Sequence, residues 1–85
     1  MAKKILIIDD EPDSISFISS ILEDNGYDYI SADNGAEGLE LTRKEMPDLI
    51  FLDLIMPEKS GITMFQELKG DPDLSHIPVV VSGVS

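Results

Sequence analysis

Residues 48 to 56 read Asp-Leu-Ile-Phe-Leu-Asp-Leu-Ile-Met, the most apolar stretch of this 85-residue chain, and one acid, Asp53, stands inside it. A run of this kind suits a strand covered on both faces, in the interior of a parallel sheet. Residues 4 to 9, Lys-Ile-Leu-Ile-Ile-Asp, and residues 77 to 82, Ile-Pro-Val-Val-Val-Ser, repeat the pattern. Residues 27 to 31 form a shorter and more polar candidate strand, as expected nearer a sheet edge.

Helical spacing fills the intervals. Pro12 suits a first helical turn. Ile15, Phe17, Ile18, Ile21 and Leu22 follow, and Asn25-Gly26 is a stop signal. Asp33-Asn34-Gly35 marks a turn before a second segment, in which Ala36, Leu39 and Arg43 share a face with Met46 close by; Pro47 ends it. Pro57 to Gly61 breaks the next run, with Ser60 as a candidate cap. Ile62, Phe65 and Leu68, with Met64 beside Leu68, give a third helix, and Gly70-Asp71-Pro72 breaks it. The order β-α-β-α-β-α-β predicts a parallel sheet with right-handed crossovers and helices on both faces. The length fits one domain, residues 1 to 85.

The pattern gathers polar groups. Asp9 and Asp10 close the first strand, Asp53 the third and Ser82 the fourth. Parallel strands would put all four on one sheet edge, where ligands of open α/β sheets bind. Three carboxylates converging there would repel one another, and a divalent cation would relieve that. Oxygen ligands without His or Cys favour Mg²⁺, Mn²⁺ or Ca²⁺ over zinc. Against this stands the plainer reading: Asp9-Asp10 as a strand-end turn, Asp53 as a helix cap and Ser82 as an ordinary strand residue.

Composition narrows the partners. Seventeen acids against six bases give a net charge of −11, which disfavours nucleic acid and anionic membrane and favours a cation or a basic surface. The chain has no cysteine, so a reducing, cytoplasmic setting is the simpler expectation. No apolar run approaches the length of a membrane span. The lone His76 falls in a loop and is expected at the surface. No Gly-x-Gly-x-x-Gly follows the first strand, against dinucleotide binding.

Three segments together resemble the receiver domain of bacterial response regulators. These are Ile5-Leu-Ile-Ile-Asp9-Asp10-Glu11-Pro12, then Asp48-Leu-Ile-Phe-Leu-Asp53-Leu-Ile-Met-Pro57 with Gly61, then Ile77-Pro78-Val-Val-Val-Ser82. Asn34-Gly35-Ala36 also matches the family's usual start of the second helix. The resemblance runs the length of the chain. It implies a flavodoxin-like, three-layer α/β fold with strand order 2-1-3-4 and three helices. It implies that Asp53 accepts a phosphoryl group from a phosphohistidine on a sensor kinase or phosphotransfer protein. It further implies that Asp10 and Asp53 bind Mg²⁺ (or Mn²⁺) with the backbone carbonyl of Ile55, that Asp9 acts through the outer metal shell, and that Ser82 contacts the phosphoryl group. Such a domain catalyses only its own phosphorylation and dephosphorylation.

Departures from the family pattern accompany the match. Family members have a fifth strand, in the order 2-1-3-4-5, which carries a Lys that contacts the phosphoryl group. The chain reads as a receiver truncated after the fourth strand, and none of its six basic residues corresponds to that Lys by position; Lys59 lies in the loop after Asp53. Ser82 follows Pro78 by four residues, where the family usually shows five. Ile55 and Val84, two residues beyond Asp53 and Ser82, are both apolar, which the resemblance ties to slow hydrolysis. An exposed fourth strand rich in valine predicts a homodimer through that edge. The alternative function is a degenerate receiver that serves as a phosphorylation-independent interaction module. A phosphatase of the haloacid-dehalogenase type would need a second Asp where Ile55 stands.

Overall fold

The computed structural model describes residues 2–83 and, within them, every side chain but that of Lys59. Val84 lies outside the described residues. Four parallel strands form the sheet: β1 (Lys4–Ile8), β2 (Asp28–Ala32), β3 (Leu49–Asp53) and β4 (Val79–Ser82). Their spatial order is β2-β1-β3-β4, as the resemblance to receiver domains implies. Helices α1 (Pro12–Asp24), α2 (Gly35–Glu45) and α3 (Ser60–Gly70) connect them, with a 3-10 turn, Pro57–Lys59, before α3.

The sheet separates two apolar clusters, which gives three layers. Alternate residues of each strand point to opposite faces. On one face Leu6, Ile8, Ile50 and Leu52 pack with Met64 and Leu68 of α3 and with Leu74 and Ile77. On the other, Ile5 and Ile7 pack with Leu22, Ile15 and Ile18 of α1. Leu6 and Ile50 are fully buried, and each such side chain stabilises the fold by roughly 1.5–3 kcal/mol.

Several helix expectations are corrected. Phe17 is 70% exposed and Ile21 is 48% exposed, so α1 meets the sheet through Leu22 and the partly buried Ile15 and Ile18, with Ser19 also buried. The buried face of α2 is Gly35, Gly38 and Thr42, whereas Ala36 and Arg43 are exposed. Small residues there let α2 approach α3 closely: a Cβ on Gly38 would come within 3.1 Å of the Met64 sulfur. The Thr42 hydroxyl is satisfied by the Gly38 carbonyl at 2.7 Å. Ser60 does not cap α3. Its backbone is already right-handed helical, and Glu58, two residues earlier, holds φ 62°. Asn34 does cap α2, accepting the Glu37 N–H at 2.9 Å.

Strand ends also shift. β1 stops at Ile8, so Asp9 and Asp10 follow the strand instead of closing it; β3 stops at Asp53 and β4 starts at Val79. These ends, where the chain leaves the sheet for each helix, lie on one edge because all four strands run the same way.

Candidate functional site

The register fixes the site. Ile8 pairs with Leu52, so the chain leaves β1 for Asp9 and Asp10 beside the end of β3. Asp53 pairs with Ser82 across the β3–β4 ladder. A carboxylate oxygen from each of Asp9, Asp10 and Asp53 lies within 4.8 Å of the others. The four residues singled out in the sequence are therefore brought to one edge, and the ladder settles Ser82 opposite Asp53 despite its short spacing from Pro78.

Local hydrogen bonds hold two of the carboxylates. The Glu11 N–H donates to Asp9 Oδ1 at 2.9 Å, and the Ile55 N–H donates to Asp53 Oδ1 at 2.9 Å. Each is an Asp bonding the backbone two residues on, which turns the chain sharply out of its strand. Leu54 N–H donates to the Ser82 carbonyl at 3.1 Å, so β3 and β4 stay paired up to the site.

The three acids differ in exposure: Asp9 is buried, Asp53 intermediate and Asp10 exposed. Burial pushes the Asp9 carboxyl above its ordinary range, and the charges of Asp53 and Asp10 add to the shift, against the opposing Glu11 N–H. Among the described side chains the ion pairs are Lys4 with Glu45 and Arg43 with Asp71, both away from the trio. The donor set is oxygen alone and reaches solvent through Asp10. It could hold a hard divalent cation, which would offset the repulsion that raises Asp9.

Two glycines shape the site. A Cβ on Gly61 would run into the Asp53 carbonyl oxygen, so α3 starts hard against the end of β3. Gly83, at φ 77°, would place a Cβ 2.6 Å from Asp53 Oδ1. Gly61 was legible in the motif. Gly83 was not singled out, although a glycine directly after a strand-ending Ser82 is a turn signal. Ile55 is 66% exposed, beside the same carboxylate. His76 is exposed in the turn before β4.

Comparison with known proteins agrees with this architecture. The family model described as the response regulator receiver domain matches residues 5–84. The chain is 39% identical over 80 residues to the polar-differentiation response regulator DivK of Brucella anthropi, covering 94% of this chain and 65% of that protein. It is 36% identical over 78 residues to protein PilH of Pseudomonas aeruginosa, covering 92% and 64%. Among solved structures, the receiver domain of a signal transduction histidine kinase from Syntrophus aciditrophicus superposes with TM-score 0.92 at 38% identity, over 99% of this chain and 64% of that one. The N-terminal domain of a response regulator receiver protein from Methanoculleus marisnigri gives 0.90 at 34%, over 95% and 66%. The chain thus spans a little under two thirds of the length of these relatives. Among the described residues, no helix is long and apolar enough to cross a membrane.

Proposed function

The chain belongs to the response regulator receiver family, and from that membership we propose that it accepts a phosphoryl group on Asp53 in a two-component phosphorelay. The observation that carries this reading is the meeting of the Asp9, Asp10 and Asp53 carboxylates within 4.8 Å at the end of the ladder that sets Ser82 opposite Asp53.

In this reading Asp10 and Asp53, with the backbone carbonyl of Ile55, hold Mg²⁺ or Mn²⁺, and Asp9 supports them from the outer shell. When bound, the metal neutralises charge that develops on the phosphoryl oxygens during transfer. The Ile55 N–H occupies Asp53 Oδ1, which leaves the other oxygen to attack phosphorus. The phosphorus–nitrogen bond to the donor histidine breaks, its electron pair returns to the imidazole nitrogen, and that nitrogen takes a proton from solvent. An acyl phosphate on Asp53 results. The Ser82 hydroxyl donates a hydrogen bond to a phosphoryl oxygen. Hydrolysis reverses the load: water attacks phosphorus and the Asp53 carboxylate leaves.

Receiver domains interact with histidine kinases or phosphotransfer proteins, and we assign this chain a donor of that class.

Intact-mass measurement after incubation with acetyl phosphate and Mg²⁺ tests the reading. One added phosphate on the wild type and none on Asp53→Asn, or on the wild type in EDTA, is the expected result. Identical masses for both proteins would favour the phosphorylation-independent interaction module.

A further inference from the structure

Two buried glycines on different helices meet the same peptide unit. Gly35 opens α2, and a Cβ there would run into the Ser60 carbonyl oxygen. Gly61 follows Ser60, and a Cβ there would run into the Asp53 carbonyl oxygen and lie 3.0 Å from Leu54 Cα. The Ser60–Gly61 peptide unit is thus in backbone contact with the start of α2 through its oxygen, and with the end of β3 through the Cα that follows it. A peptide unit is planar and resists twisting, so a displacement of its oxygen is carried into that Cα.

The surroundings leave this contact little slack. The first turn of α2 is fixed twice: Asn34 Oδ1 accepts the Glu37 N–H at 2.9 Å, and the Asn34 carbonyl accepts the Gly38 N–H at 3.0 Å. The loop before Ser60 passes through Glu58 at φ 62°, which a residue with a side chain rarely adopts, and leads directly into helix. Asp53 is held by its pairing with Ser82 and by the Ile55 N–H on Oδ1. Close-packed backbones pass a displacement on where a flexible side chain would absorb it.

We propose that Gly35 is a positioning residue for Asp53. By lacking a side chain it lets the Ser60–Gly61 peptide settle against α2, and so sets where the Asp53 carboxylate stands relative to Asp9 and Asp10. The inference rests on the phosphoacceptor reading for its consequence in rate, and on the backbone contacts alone for its consequence in cation affinity. A side chain at position 35 displaces the peptide, and with it Gly61 and the Asp53 carbonyl, which disturbs the meeting of the three carboxylates.

Gly38 supplies the control. It lies on the same buried face of α2, and a Cβ there would come within 2.6 Å of Ile8 Cδ1 and 3.1 Å of the Met64 sulfur. Those are ends of flexible side chains, which can turn aside, whereas the Ser60 carbonyl is backbone.

Gly35→Ala and Gly38→Ala are compared with the wild type after circular dichroism shows each to be folded. Mg²⁺ titration followed by the glycine amide resonances reads cation affinity. Intact mass after timed exposure to acetyl phosphate at saturating Mg²⁺ reads rate. Gly35→Ala is expected to weaken Mg²⁺ binding several-fold and to slow phosphate uptake by about tenfold, and Gly38→Ala to leave both near the wild type. Equal effects of the two substitutions, or wild-type behaviour of Gly35→Ala, would overturn the proposal. Should Gly35→Ala not fold, the wild type decides: Mg²⁺ is expected to shift the Gly35 amide resonance with the midpoint seen at Gly61, leaving Gly26 and Gly70 in place. A stationary Gly35 resonance would overturn the proposal. Weaker Mg²⁺ binding in Gly35→Ala beside a wild type that takes up no phosphate would support the positioning role and refute the phosphoacceptor reading, so the two fail separately.

Discussion

Ser82 stands directly opposite Asp53 at the last rung of the β3–β4 ladder, and the Leu54 N–H donates to the Ser82 carbonyl at 3.1 Å. The pairing continues to the point where the chemistry is proposed, so the sheet fixes the backbone that carries the Ser82 hydroxyl. Ser82→Ala removes a hydrogen bond to a charged phosphoryl oxygen. Phosphorylation by acetyl phosphate should slow by about tenfold without moving to another residue, which rapid-quench mass measurement would read.

A cation should stabilise the fold by removing a cost built into it. Burial and the neighbouring acids raise the Asp9 pKa. The folded state then holds its proton longer than the unfolded chain, so stability falls as pH rises from the ordinary carboxylate value through the raised one. Ionising Asp9 in the folded state therefore carries a penalty, which a divalent cation bound at the trio would offset. At a hundredfold excess over Kd the gain is about 2.7 kcal/mol. Thermal melts should show Mg²⁺ raising Tm at pH 7, raising it much less near pH 4, and raising it little at any pH in Asp10→Asn.

Gly61 is where α3 meets the end of β3. Gly61→Ala would drive a methyl group into the Asp53 carbonyl, and we expect a loss of about 1–3 kcal/mol in urea denaturation. Gly70→Ala, with open space around it, should leave stability unchanged or slightly raised.

Ile55, whose N–H donates to Asp53 Oδ1, carries a largely exposed apolar side chain. Replacing it with Ser should admit water to the acyl phosphate and shorten its lifetime several-fold. The decay of the phosphorylated mass after removal of donor would show it. An unchanged decay would mean that Ile55 does not screen the phosphoryl group.

Phe17 and Met64 make a paired test of the packing. Phe17 is largely exposed and Met64 almost wholly buried. Phe17→Ala should change stability by no more than about 0.5 kcal/mol, and Met64→Ala should cost about 2–5 kcal/mol.

The fold was legible because strands buried on both faces announce themselves as β-branched runs, and their alternation with helices admits few topologies. The polar character of residues 27 to 31 marked β2 as nearer an edge, and the strand order followed from the resemblance to the receiver family. The face of α2 was not. Apolar periodicity pointed to Ala36, Leu39 and Arg43, whereas the helix packs through Gly35, Gly38 and Thr42, whose burial follows from close approach of backbones and leaves no hydrophobic signal. Phe17 and Ile21 misled in the opposite sense: they keep helical spacing yet lie outside the stripe that meets the sheet. At the site, the acids and Ser82 were readable from strand ends alone. Gly83 was not, because its contact with Asp53 depends on how the chain turns after β4.

The most direct test reduces the loaded protein with borohydride, which converts an aspartyl phosphate to homoserine, and maps the product by peptide sequencing. After treatment with acetyl phosphate and Mg²⁺, homoserine at position 53 and at no other acid is the predicted result. Homoserine at position 9 or 10, or none anywhere, would contradict the assignment of Asp53 as the phosphoryl acceptor.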